Sequence, residues 1–406
     1  MKQARQENGL APVRRVLFAW ELGEGLGHLA GCAPLLRELQ SRGHHITAVV
    51  KHVPAVGPLV SGAACRTLPL PAAASPAPRP FARPMTFAHV LYNSGFHDPV
   101  LLADRLAAWR AVFTAEHPDV ILCEHSPAAL VAARGFPAAR VVIGTGFTCP
   151  PDLTPLPCLR HWLTHDPREL ARDEGAVLAT VNGALRVHSL PALLTLACLY
   201  GDADATILRS FPELDPYPMR RGVRYWGAWL GIAGDDPGWQ TGCRPRIFAY
   251  LKPMSGIGDV LAAVAQVGGE VVAYVPGLPA ADQTAARAAG VRLLERPANI
   301  QAAAQGCDVA ILNGTHGTTA AVLLAGKPIV QLPIYLEQVL TALRTVTLGA
   351  GRIAARADPG AVLEAVREVH SNPNYRAAAE RFARRYRQFE PQAAVRSLAD
   401  WLEARG

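Results

Sequence analysis

Leu312-Asn313-Gly314-Thr315-His316-Gly317-Thr318-Thr319, followed eighteen residues later by Glu337-Gln338, decides how this chain is read. The apolar run from Asp308 to Leu312 in front of it predicts a buried parallel strand. The small polar residues after it predict a turn that opens a helix over 319–325. Backbone N–H groups at a helix start lack intrahelical acceptors and stand at the positive end of the dipole, so they suit a phosphate. Gly314 and Gly317 let the backbone come close, while Asn313, Thr315, His316, Thr318 and Thr319 carry hydrogen-bond donors. Gly326-Lys327-Pro328 stops the helix, and Ile329 to Pro333 makes the next strand. Beyond its end come Glu337 and Gln338, a carboxylate and an amide suited to gripping sugar hydroxyls. A phosphate cradle beside a hydroxyl grip points to a nucleotide-sugar site.

Outward from that stretch, strands and helices alternate. Strands at 247–251, 270–275 and 291–294 are separated by helices at 257–267 and 280–288, and a helix over 299–304 leads into the strand at 308–312. The first half has a strand at 15–20, a glycine-rich turn at 21–27, a helix at 29–42 closed by Gly43, and a strand at 45–50. Six prolines within 69–84 predict a loop. Helices at 100–116, 128–133 and 166–200 and strands at 118–123, 140–144, 205–208 and 224–226 complete that half. Two such series predict an α/β protein: two facing Rossmann-like, doubly wound domains with a cleft between them. The expected boundaries are a first domain over 1–230, a Gly/Asp/Pro-rich linker over 231–244, and a second domain over 245–385. Residues 1–14 read as a loosely attached lead. The basic amphipathic stretch from Pro373 to Arg405 breaks near Pro391, leaving a last helix over 386–406.

Composition narrows the function. At 406 residues the chain suits two domains of roughly 150–200 residues each. No segment reaches the ~18 uncharged apolar residues of a membrane span, though peripheral membrane contact is left open. No secretory signal is apparent, so a cytoplasmic protein is expected. Eight cysteines lie scattered without a CxxC pair, which argues against structural zinc and a disulfide framework. The net charge of +7 is dispersed and almost all arginine, so nucleic acid is not an expected partner. It still favours an acidic substrate such as a nucleotide diphosphate.

Two further constellations lie in the first half. Gly23-Glu24-Gly25-Leu26-Gly27-His28 follows the first strand. It is not GxGxxG, and no acidic residue closes the strand near Lys51, so it does not read as a dinucleotide site. Pro118-Asp119-Val-Ile-Leu-Cys123-Glu124-His125 brings a carboxylate and a second histidine to a neighbouring strand end.

Together these residues resemble the GT-B glycosyltransferases, most closely the UDP-sugar-dependent family of bacterial macrolide and plant small-molecule enzymes. There the turn reads HGGxGT, the helix ends AAGxP and the strand ends in DQ or EQ; here they read NGTHGTT, LLAGKP and EQ. The chain departs from the pattern at Asn313, where the family has a histidine, and at Glu124, where it has an aspartate. The resemblance implies an inverting, metal-independent transfer of a hexose from a nucleotide sugar, UDP-sugar first, to a hydroxyl of a small or hydrophobic acceptor. The nucleotide sugar is a co-substrate, and no resident cofactor or metal is expected. His28 would be the base and Glu124 its orienting carboxylate, with His125 as the alternative base. Gly25 and Gly27 would shape the acceptor loop, and Arg296, Pro297 and Ile300 would face the nucleotide base. The final helix would cross back onto the first domain. A sugar-nucleotide epimerase using His316, or a non-catalytic partner protein on the same fold, are the alternatives.

Overall fold

Near-continuous apolar strands between amphipathic helices are hidden best in the middle of a parallel sheet with both faces covered. The computed structural model, which describes residues 13–24, 27–55, 65–230 and 234–404, does this twice. The chain divides into two compact units. One takes in the stretches up to Gly144, Thr148–Leu208 and the residues from Gln392 on; the other takes in Thr145–Phe147 and Arg209–Pro391. The expected lead over 1–14 lies almost wholly outside the described residues.

The first unit runs β1 (Arg15–Trp20), α1 (Gly27–Ser41), β2 (His45–Val50), β3 (Cys65–Pro69), α2 (Phe87–Asn93) and α3 (Pro99–Glu116). It continues through β4 (Val120–Glu124), α4 (Pro127–Ala132), β5 (Ala139–Gly144), α5 (Pro167–Val187), α6 (Cys198–Gly201) and β6 (Ala205–Leu208). Its six strands pair in parallel in the order β3-β2-β1-β4-β5-β6. The order reverses between β1 and β4, which lie in register with Trp20 opposite Glu124. At such a switch point two successive crossovers leave in opposite directions and a crevice opens at the C-terminal strand ends.

Three expectations for this half need correction. The short edge strand β3 was not anticipated. Residues 224–226 form no strand of the sheet. The helix expected over 166–200 stops at Val187, because Ser189 turns left-handed at φ 54° and Pro191 follows. The Asn182 side chain holds the departing segment by bonding both the N–H (2.8 Å) and the carbonyl (3.0 Å) of Leu193.

The second unit runs β7 (Arg246–Tyr250), α7 (Ile257–Ala265), β8 (Glu270–Tyr274), α8 (Ala280–Ala288), β9 (Arg292–Leu293), α9 (Ile300–Gly306) and β10 (Val309–Leu312). It goes on through α10 (His316–Leu324), β11 (Ile329–Gln331), α11 (Leu336–Thr347), β12 (Gly351–Ile353), α12 (Pro359–Ser371) and α13 (Pro373–Arg385). The sheet order β12-β11-β10-β7-β8-β9 repeats the progression of the first unit, with its reversal between β7 and β10. Alternation along β7 splits the core: Ile247 and Ala249 join Val260, Leu261 and Val366 on one face, while Phe248 joins Ala303, Ala320 and Phe382 on the other. Residues 234–244, read as a linker, lie along this unit; Asp235 bridges to Ala298, and the Gln240 N–H donates to Glu270. Residues 231–233 are outside the described set.

The last helix, α14 (Pro391–Glu403), groups with the first unit. Its buried stripe of Val395, Leu398, Ala399 and Leu402 has helical spacing, and Leu402 shares a small void with Val16, Leu39 and Leu122. The Arg14 N–H donates to His44 Nδ1 (3.1 Å), so the ring proton sits on Nε2 and donates to Glu403 (2.8 Å). Arg42 adds ion pairs to Glu403 (2.9 Å) and Asp400 (2.6 Å). Among the described residues no helix is long and apolar enough to cross a membrane.

Candidate active site

At the switch point of the first sheet, the last residue of β4 meets the first turn of α1. His28 Nδ1 lies 2.9 and 3.1 Å from the two carboxylate oxygens of Glu124. Glu124 is buried and the His28 side chain nearly so. A carboxylate at that distance holds the proton on Nδ1 and leaves Nε2 as the basic atom. The ring stacks on Trp20 (centroids 5.8 Å) and on His125 (5.6 Å, nearly parallel). Burial, aided by His28, pushes the His125 imidazole down to about 3, so His125 stays neutral and is a poor alternative base. Gly23, at φ 86°, passes against the imidazole so closely that a Cβ there would collide with Nε2. Lys51 steadies this turn by donating to the Gly23 carbonyl and to Glu24, both at 3.0 Å. Gly27 is the first residue of α1, and Gly25 lies outside the described residues.

The second sheet places the decisive turn at its own switch point. The helix begins three residues earlier than expected, at His316, with Thr315 as N-cap. Thr315 is exposed and makes no side-chain cap bond. The first intrahelical bond runs from the Thr319 N–H to the Thr315 carbonyl (3.0 Å), so the N–H groups of His316, Gly317 and Thr318 form the open donor set of the first turn. Gly314 is needed twice over: its φ is 83°, and a Cβ would stand 2.5 Å from the Gln338 carbonyl.

Several side chains of the turn face inward instead of toward a ligand. Asn313 accepts from the Lys252 N–H (2.6 Å) and donates to the Leu332 carbonyl (2.8 Å), tying together the ends of β7, β10 and β11. Thr319 is fully buried and its hydroxyl accepts from Gln331 Nε2 at 3.3 Å. His316 is buried, with Nε2 2.8 Å from Ser210 Oγ, and burial beside Arg209 lowers it to about 3. Helical phase explains this: starting the helix at 316 turns 316 and 319 onto its core face.

A family model described as the erythromycin biosynthesis protein CIII-like C-terminal domain matches residues 258–400, the span that contains this turn. Over that span the chain is similar to the macrolide-type GT-B glycosyltransferases. The chain is 27% identical over 309 residues to a PGL/p-HBAD biosynthesis glycosyltransferase of Mycobacterium tuberculosis, covering 71% of each chain. Its fold matches the calicheamicin glycosyltransferase CalG4 with a TM-score of 0.68, covering 97% of this chain and 98% of that one at 19% identity. It also matches the glycosyltransferase VinC, solved in complex with DTDP, with a TM-score of 0.63 at 16% identity over 97% and 100% of the two chains.

The other residues singled out in the sequence make the following contacts within the second unit. Glu337 Oε1 accepts from the Thr145 hydroxyl (3.0 Å). Gln338 is buried, and its side-chain carbonyl takes the Ile334 (2.8 Å) and Tyr335 (3.3 Å) N–H groups, closing a capping box on α11. Arg296 is exposed and paired with Asp235 (2.9 Å), and the Pro297 carbonyl accepts from the Asp235 N–H (2.8 Å). Ile300 begins α9, which Asn299 caps through the Ala302 N–H. Lys252 lies 4.9 Å from the Tyr335 ring centre, a cation–π contact at the mouth of the second sheet. Sequence reasoning quoted Gly23 in the turn without seeing its contact with His28, and it missed Ser210 and Thr145, which carry no local signal. Among the described residues no group of three or more His, Cys, Asp or Glu side chains forms a metal cluster.

Proposed function

We propose that this glycosyltransferase moves a hexose from a pyrimidine nucleoside diphosphate, thymidine ahead of uridine, to a hydroxyl on an apolar small molecule, with inversion and without a metal. The observation that carries the reading is the His28 Nδ1–Glu124 contact at 2.9 Å. Nε2 takes the acceptor proton as its oxygen attacks the anomeric carbon, and Glu124 stabilises the imidazolium that forms. The leaving diphosphate spreads its charge over the uncapped first turn of α10, helped by Thr318 and the helix dipole. Asn313 serves this step indirectly, by holding three strand ends in place. Gln338 fixes the start of α11, and Glu337 meets the sugar hydroxyls. UDP is what the motif resemblance suggests, and the DTDP seen with VinC moves thymidine ahead of it. The apolar, aromatic segment from Met85 to Phe96 supports an apolar acceptor. The epimerase alternative loses its acid–base group, because His316 is buried, neutral and bonded to Ser210.

Isothermal titration of TDP, UDP and GDP with and without magnesium tests the donor half. Metal-independent micromolar binding of one pyrimidine nucleotide, weakened at least several-fold by Thr318→Ala, is expected. No binding of any nucleotide to folded protein would overturn the reading in favour of a non-catalytic partner. For the base, His28→Ala should lower kcat by about 10²–10⁴-fold while nucleotide affinity holds.

A further inference from the structure

We propose that Glu21 is the positioning residue that sets the His28–Glu124 pair, acting from the exit of β1 on the turn that follows β4; this rests on reading His28 as the base. Ser126 occupies the N-cap of α4 yet makes no side-chain cap bond. The cap comes from across the switch point. Glu21 Oε2 accepts from the N–H groups of Ala128 (2.8 Å) and Ala129 (3.3 Å). Its other oxygen accepts from Trp109 Nε1 (2.8 Å), and Arg105 Nε stands 3.7 Å away as its countercharge. Both members of the ion pair are about 95% buried. The next residue adds a main-chain clamp, since the Leu22 N–H donates to the His125 carbonyl (3.0 Å).

Residues 125–129 are thus held on two sides by 21–22, and His125 is kept at φ 43°, a left-handed conformation that non-glycine residues adopt at a cost. A buried ion pair is an expensive cap for a single short helix, and a serine already stands where an ordinary cap would act. What the clamp fixes is the exit direction of β4, and with it the reach of the Glu124 carboxylate to His28 Nδ1. The charged and titratable groups around the clamp and the pair are His125 just after β4, which feels His28, Glu124 and Lys51; Cys123 on β4, which feels Glu21 and Arg140; Glu24, paired with Lys51; and Arg105 from α3, paired with Glu21.

In Glu21→Gln, the amide turns a donor toward either Trp109 or α4, and Arg105 loses its countercharge. Trp109→Phe removes one hydrogen bond and keeps the charge, a gentler variant should the first not fold. The His28 imidazole is followed by NMR titration in the full chain, beside the kcat–pH profile. A looser carboxylate stabilises the imidazolium less, so the His28 pKa and the acid limb of kcat should fall by about half a unit or more in Glu21→Gln. Its kcat should drop about tenfold with an unchanged donor KM, and Trp109→Phe should move the same way by less. Glu124→Gln calibrates the result. If His28 ignores Glu124→Gln, the base reading itself falls. If His28 responds to Glu124→Gln but neither Glu21→Gln nor Trp109→Phe shifts it, with only Tm affected, the positioning role is overturned.

Discussion

His28 shows how much a single ring depends on its neighbours. Glu124 sets its tautomer, Trp20 and His125 set its plane, and Gly23 gives it room. Gly23→Ala should therefore displace the imidazole and lower kcat by about tenfold or more, with the donor Kd unchanged; an unaltered kcat would show that the contact is unimportant. The two depressed histidines make a separate prediction about acid stability. His125 and His316 fall to about 3 in the folded chain, against 6.5 for an ordinary histidine. Between those values the unfolded state binds a proton that the native state refuses. Stability is full above about pH 6.5 and is lost as pH falls toward 3, at up to about 1.4 kcal/mol per pH unit for each ring. Urea denaturation at pH 7 and pH 5 checks this: His316→Gln, which keeps a partner for Ser210, should flatten the loss by about 2 kcal/mol at most. An equal drop in the variant would mean that other groups govern acid unfolding.

At the scale of elements, the two switch points carry the chemistry. The turn between β10 and α10 has a glycine whose Cβ would meet the start of α11 at 2.5 Å. Gly314→Ala should cost more than about 1 kcal/mol and weaken nucleotide binding, read by denaturant midpoint and titration calorimetry. Unchanged values in both would mean that α11 yields easily. Most of this level was legible in the sequence, because a parallel strand buried on both faces is an unbroken apolar run and each following glycine marks the turn. The edge strand β3 was missed for the opposite reason: Cys65-Arg66-Thr67-Leu68-Pro69 is only half-buried, has no such run and ends on a proline. The helix start at His316 was placed three residues late, since a threonine and a glycine in the first turn carry no apolar signal. That small slip mattered, because it decided which side chains of the first turn lie against the core: 316, 318 and 319 are all buried. The Glu21 clamp was invisible for a different reason: its partners are backbone N–H groups more than a hundred residues away, which no local pattern encodes.

Across the whole molecule, each unit repeats the same strand progression, and the sequence gives both halves because each is read from its own strands and turns. The crossing of α14 to the first unit is a long-range choice, prepared by its amphipathic stripe and fixed by His44, Arg14 and Arg42. Glu403→Ala removes the acceptor of the buried His44 Nε2–H and should cost about 1–3 kcal/mol of stability, seen as a lower Tm with donor binding retained. No change in Tm would mean that the apolar stripe alone holds the helix. The first unit also takes in stretches of chain on both sides of the second. A ribosome releases Arg14, Leu39 and His44 hundreds of residues before the helix that covers them. Residues 209–391 are therefore all made while that edge of the first sheet is still bare. A nascent chain of this protein carries an uncovered patch until α14 has been made, and that helix acts as the closing stitch.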